Sequence, residues 1–157
     1  MPHLTQIGLN AKPDQQTTSL RLEIAAGEWE TIIKQSGAGV QAGSRVVFGE
    51  AVDQEDGCVI SVSDDLIDQQ ARVIAVGQDG SQHEAIGLTM GMTMTFRQLT
   101  VRFALPVAQV DRFEFQSRPF DQWVQFDNVS LSPGKNAGFH FDSGRLDPPP
   151  NPSDGRR

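Results

Sequence analysis

Between Leu20 and Pro133 the apolar residues recur almost everywhere at every second position, with clusters of Gly, Asp and Ser as punctuation and no stretch of helical spacing. A strand points alternate side chains to opposite faces, so this pattern confines the middle of the chain to β-structure. Leu20, Leu22 and Ile24 alternate with Arg21 and Glu23; Trp29, Ile32 and Ile33 follow after Gly27; then come Arg45 to Val52, and Cys58, Ile60 and Val62. Gln70 to Gly77 and His83 to Leu88 flank an Asp-Gly pair, the composition of a tight hairpin turn. Met92, Met94 and Phe96 are followed by Leu99, Val101, Phe103 and Leu105, a change of parity near Arg97 that predicts a bulge or a corner where a strand changes sheet. Val124 and Phe126 are out of phase with Val129 and Leu131, which predicts a second bulge at Asp127-Asn128. The expected fold is all-β: a two-sheet antiparallel β-sandwich, jelly-roll-like.

Arg112 to Leu131, RFEFQSRPFDQWVQFDNVSL, holds four Phe and one Trp. Burying one such ring stabilises a fold by roughly 1.5–3 kcal/mol, so a core accounts for them without a ligand. The 157 residues suffice for one ordinary domain with one core. Residues 1–18 are polar and unpatterned, residues 19–134 carry the sandwich, and residues 135–157 end in LDPPPNPSDGRR, whose prolines lack the donors of a ladder, so both ends are expected to be flexible. A formal charge of −7, with 13 scattered Lys and Arg, opposes binding to nucleic acid. No apolar run approaches the roughly 18 residues of a spanning helix, and the first residues lack a signal peptide's apolar stretch, so no direct membrane insertion is expected. If the chain is complete as written, the expected location is cytoplasmic.

Cys58 is the only cysteine, which rules out an intrachain disulfide, and its place in the alternation CVISV predicts a buried thiol. HEAIG at His83 has Gly87 where a zinc-protease motif needs its second histidine, and it lies on a strand, where ligands at four-residue spacing do not converge. SGAGVQAGS holds Gly37, Gly39 and Gly43 but is followed by the strand VVF, so it reads as a loop rather than a phosphate cradle. The acidic clusters Asp53, Glu55, Asp56 and Asp64, Asp65, Asp68 have oxygen ligands suited to calcium without the spacing of a calcium loop. Asn128-Val129-Ser130 fits the glycosylation sequon in mid-strand. Nothing in the spacing pairs a Ser or Asp with the three histidines, so no enzymatic activity and no catalytic residue is expected.

GEWETI (Gly27 to Ile32) and FEFQSRPFDQWVQFDNVSL (Phe113 to Leu131) resemble the C-terminal, non-catalytic β-domain of bacterial membrane zinc metallopeptidases of the β-lactam-sensor (antirepressor) type and related signalling proteins. Phe113, Phe115, Gln116, Arg118, Pro119, Trp123, Val124, Phe126, Asn128, Val129, Pro133 and Gly134 carry the likeness; Phe120 stands where that pattern has Tyr, and Asp127 at an Arg-like position. The resemblance implies a free-standing relative of a sensory or interaction domain, without the peptidase, whose partner is a protein or a small ligand. QFDNVSL is also similar to the last strand of jelly-roll carbohydrate-binding modules. That likeness implies Asp127 as a ligand of a structural calcium and Trp29 or Trp123 as a platform for carbohydrate. Trp29, Trp123 and Arg118 are therefore the candidate ligand or interaction residues, Asp127 the candidate metal ligand, and the exposure of the two indoles separates the two readings.

Overall fold

A computed structural model describes residues 12, 14–132, 134, 135, 138 and 140–146. Thirteen strands follow in order: β1 (Thr17–Ile24), β2 (Glu30–Ser36), β3 (Gln41–Ala42), β4 (Val46–Phe48), β5 (Val52–Gln54), β6 (Gly57–Asp64), β7 (Gln69–Gly77), β8 (Gln82–His83), β9 (Gly87–Met92), β10 (Arg97–Phe103), β11 (Val110–Pro119), β12 (Gln122–Ser130) and β13 (His140–Arg145). The only helical element among the described residues is the 3-10 turn Val107–Gln109, so no helix there is long and apolar enough to cross a membrane.

Two compact units divide the chain after Ile24 and after Asp121. The larger, Ala25–Asp121, is the expected antiparallel sandwich. One sheet runs β3-β4-β6-β10-β9, with β5 also on β6, and the other runs β2-β11-β7-β8. The chain crosses between these sheets from β2 to β3, β6 to β7, β8 to β9 and β10 to β11, while β2 pairs with β11 and β6 with β10. Such nested antiparallel pairing, alternating between layers, is the jelly-roll manner of winding. Val46, Phe48, Cys58, Ile60, Val62, Leu99, Val101 and Phe103 from the first sheet meet Val73, Ala75, Phe113 and Phe115 from the second in one core. Cys58, Ile60, Val62, Leu99, Val101, Phe103, Phe113 and Phe115 follow the alternation legible in the sequence, and Phe103 and Phe113 stack across the layers at 5.6 Å.

The smaller unit holds the sheet β1-β12-β13. β1 and β12, which the sequence reading places inside the sandwich, form this sheet together with β13, which lies in the stretch read as flexible tail. The proline run that motivated the flexible reading begins only after this strand, and residues 1–11 and 147–157 lie outside the described residues. The bulge expected at Asp127-Asn128 is present: Thr18 pairs with Val129 and Leu20 with Phe126, so both residues stand opposite Ser19, with Asn128 at φ 59°.

Near Arg97 the expectation is corrected. The change of parity marks a hairpin turn, not a bulge or a change of sheet: β9 pairs with β10 with Met92 opposite Arg97, and the Thr93 N–H donates to the Phe96 carbonyl at 2.9 Å. A four-residue connection places even-numbered residues opposite odd-numbered ones, which gives the parity switch. Thr93 Oγ1 closes the turn by accepting from the Phe96 N–H at 3.1 Å. The expected return strand from His83 to Leu88 is likewise split, because β8 ends at His83 and the chain passes to the other sheet before β9.

Cys58 is 1% exposed, and burial, helped by the charge of Asp53, pushes its thiol up from 9.0 to about 11. In the unfolded chain the thiol ionises near its ordinary value, whereas in the folded chain it stays protonated about two units further. The resulting stability is present in full below pH 9 and is lost as the pH rises from about 9 to about 11, a change of about 2–3 kcal/mol. Urea melts at intervals across that range should show this fall, and Cys58→Ala should flatten it; an unchanged slope would refute the assignment.

Candidate functional site

The four-stranded sheet places a chain of polar side chains on the face turned away from the core. Arg112, Glu114, Gln116 and Arg118 alternate with the core residues Phe113 and Phe115 on β11, opposite Val76, Ile74, Arg72 and Gln70 of β7. Alternation alone marks this face as wet, yet Ile74, Val76, Glu114 and Gln116 are all buried. Their polar atoms are matched within the sheet. Gln116 accepts from Arg72 Nε at 2.8 Å and donates to Thr31 Oγ1 at 3.2 Å and to Glu114 at 3.3 Å. Glu114 also accepts from Arg112 Nε at 2.7 Å and from Thr31 at 3.2 Å, and Lys34 Nζ lies 3.6 Å away. Burial by itself would raise the Glu114 carboxyl, but these donors and charges outweigh it and hold the group below its ordinary value.

Trp29 stands at the end of this network, one residue before β2. The Glu30–Ser117 pair puts Trp29 in the row of Arg118, and Arg72, opposite Gln116, belongs to the next row. Two guanidinium groups lie over the indole, each 4.3 Å from its centroid. Arg118 is held further by donation from Nε to Gln70 at 2.8 Å and from Nη1 to the Gly27 carbonyl at 3.0 Å. Asp121 completes the clasp by accepting from the Ala26 N–H at 2.8 Å. Two pieces of sequence remote from each other, GEWETI and SRPFDQ, are therefore one structural lock between the start of β2 and the end of β11.

Trp29 and Trp123 are both half-buried. In the smaller unit the Trp123 ring lies against Gly144, opposite it on β13, so closely that a Cβ there would come within 2.8 Å of Nε1. The Arg21 guanidinium sits 4.5 Å from the centroid of the same ring. Asp127 accepts twice from the Gln125 amide, at 3.0 and 3.1 Å, and hydrogen bonds from Ser19 and Gln125 lower its carboxyl below the usual range, helped by the charge of His140. This carboxylate works as an acceptor inside the sheet. Three residues of the acidic clusters are engaged in the same way: Asp64 with buried Arg97, Asp65 with Arg45 at 2.7 Å, and Asp53 with the Val107 N–H at 2.7 Å. Among the described residues, no group of three or more His, Cys, Asp or Glu side chains comes together.

One association was not legible from spacing. Ser81 Oγ lies 2.8 Å from His83 Nε2 and donates to Asp79 Oδ1 at 2.5 Å, beside a cavity of about 310 Å³ also lined by Leu105 and Gln109. A serine and a histidine this close invite a nucleophile and base. The polarity of the bonds runs the other way, because a hydroxyl has one proton and Ser81 gives it to the carboxylate. The proton in the contact with His83 then belongs to Nε2, which leaves that nitrogen no lone pair to act as base toward Ser81. The same hydrogen bonds lower the Asp79 carboxyl, and the motif pins the turn between β7 and β8.

Arg72 and Glu114 escaped the sequence reading, and Gln116 entered it only through the resemblance, because their roles depend on which strands are neighbours, which a single chain's alternation does not reveal. Compared with known protein families, with curated proteins and with solved structures, the chain matches none of them.

Proposed function

We propose that the chain is a non-enzymatic β-sandwich acting as an interaction or sensing module, with the Arg72–Trp29–Arg118 stack as its contact surface. The observation that carries this reading is the fixed geometry of that half-exposed stack: both guanidinium groups are ordered by the indole and by hydrogen bonds to Gln116, Gln70 and Gly27. Trp and Arg dominate the energetic centres of protein interfaces, and side chains already ordered lose less entropy when a partner docks. Arg72 and Arg118 keep N–H groups beyond those bonds, which suit a peptide presenting a carboxylate or main-chain carbonyls. The resemblance to a non-catalytic sensory domain supports the same class of function, and the engagement of Ser81, His83 and the acidic loops in structural bonds supports the absence of catalysis.

A partner captured on the wild-type chain should bind Trp29→Ala and Arg118→Lys at least about 30-fold more weakly, the loss expected at an interface hot spot. Lys keeps the charge but not the planar fork, so it isolates the stack from net electrostatics. Circular dichroism and urea melts followed by it would show whether the sandwich remains folded in the variants. Unchanged partner affinity in both folded variants would refute the reading. Calorimetric titration with a glycan panel provides the second arm: micromolar binding of a sugar that is lost in Trp29→Ala would replace the protein partner with carbohydrate.

A further inference from the structure

The sandwich has one edge whose chemistry is unlike the rest of the surface. β9 ends the order β3-β4-β6-β10-β9, and among the described residues no strand pairs with its outer edge. In the ladder to β10, Leu88 faces Val101 and Met90 faces Leu99, so these side chains share the side of the sheet that builds the core. Leu99 and Val101 are 2% and 1% exposed, whereas Leu88 and Met90 are 59% and 57% exposed. The inner face of the six-stranded sheet therefore continues one strand beyond its cover. Ile86, Met92, Met94 and Phe96 extend the apolar row at 55%, 62%, 92% and 46% exposure. The intervening residues of this stretch are Gly87, Thr89, Gly91, Thr93 and Thr95. No charged residue occurs between Glu84 and Arg97.

Exposed edges in stable monomers are usually blunted by Lys, Pro, a bulge or a covering loop. None of the residues from Ala85 to Phe96 is Lys or Pro, and the β9 ladder runs without a register shift. We propose that this edge pairs with the same edge of a second copy of the chain, joining two six-stranded sheets antiparallel across a two-fold axis near Thr89 or Met90. The sequence is self-complementary for such a pairing. With the axis at Met90, Leu88 meets Met92 of the other copy; with the axis at Thr89, Leu88 meets Met90. Either register sets apolar residues opposite apolar residues and brings no like charges together in the ladder.

The uncharged, self-complementary edge favours a second copy as the occupant. Antiparallel edge pairing would hydrogen-bond the free backbone of β9 in both copies and set its apolar side chains beside their counterparts, with an exposed apolar stretch on the order of 600 Å² per chain available to the contact. Each copy carries −7, which repels at long range, but the uncharged edge keeps that charge out of the contact and salt screens the remainder over about 8 Å. The same negative charge disfavours an anionic lipid surface. Isologous pairing also caps both free edges at once, which a one-sided partner does only for this chain.

Sedimentation equilibrium of the full chain from about 10 μM to about 1 mM should show a monomer–dimer equilibrium that tightens as salt is raised. Met90→Lys and Leu88→Lys, both at exposed positions, should abolish the dimer over that range while leaving circular dichroism and tryptophan fluorescence unchanged. A chain that stays monomeric throughout would overturn the proposal, as would a dimer indifferent to both lysines. Binding of the monomer to phosphatidylcholine vesicles, lost in Met90→Lys, would overturn it too by assigning the stripe to lipid.

Discussion

Replacing Arg97 with Ala is expected to cost the sandwich about 3–5 kcal/mol, the range measured when one member of a buried ion pair is removed. Arg97 and Asp64 are 6% and 3% exposed. The guanidinium grips the carboxylate at two points, Nε to Oδ2 at 3.0 Å and Nη2 to Oδ1 at 2.8 Å. It also donates to the carbonyls of Gln69 at 2.9 Å and Leu66 at 3.2 Å. Arg97 therefore ties the end of β6, the connection to β7 and the start of β10 around one side chain. Truncation leaves the Asp64 charge buried with the Leu66 N–H as its remaining hydrogen-bond donor, takes a donor from the Gln69 carbonyl, and leaves the Leu66 carbonyl with the Gln69 N–H. With a slope of about 1–3 kcal/mol per molar urea, the midpoint should fall by roughly 1–5 M, a large share of a typical domain's stability. Desolvation rather than attraction makes the loss large. The double variant Arg97→Met with Asp64→Leu, which removes both charges, should consequently be closer to wild type than Arg97→Ala. A loss below about 1 kcal/mol in the single variant would show that water reaches the pair and that the loop holds without it.

The same residue shows where reading the chain succeeds and where it stops. Alternation is local, so Phe113, Phe115, Cys58, Ile60 and Val62 could be assigned to the core before any pairing was known, and each is buried. The bulge at Asp127-Asn128 was legible for the same reason, since two residues opposite one shift the phase of everything beyond them. Arg97 keeps the inward parity of Leu99, Val101 and Phe103, but a charge at that position is interpretable only once Asp64 is known to face it across β6. The Trp29 stack needed more still: three strands, two of them remote in sequence from the first, had to be placed side by side. Trp29 and Arg118 entered as candidates through resemblances of GEWETI and FEFQSRPFDQWVQFDNVSL, without any sign that the two stretches touch. The exposed row on β9 reads in sequence like any core strand, because alternation specifies which residues share a face and leaves open whether another layer covers it.

Phe113→Ala tests the core itself, and it should destabilise the sandwich by about 3–5 kcal/mol, the usual cost of emptying a buried aromatic site. Phe113 is fully buried on β11, between the neighbours β2 and β7. Its ring meets Phe103 of the opposite sheet at 5.6 Å and 46°, an inclined contact worth about 0.5–1.5 kcal/mol beyond the area it buries. A void here lies between two hydrogen-bonded layers, which can collapse less than a site under a loop, so the upper half of the range is expected. Trp29 belongs to the same unit as Phe113 and Trp123 does not, so in a Trp123→Phe background the fluorescence transition reports the sandwich. Phe113→Leu should recover much of the loss by refilling the void. Phe141 supplies the contrast within one chain: it also stacks on a phenylalanine at 5.6 Å, Phe126, but is 53% exposed, and its removal should cost under about 1 kcal/mol because little surface leaves water when it packs. If the two alanine variants lost equal stability, depth between the sheets would not be what gives these rings their worth.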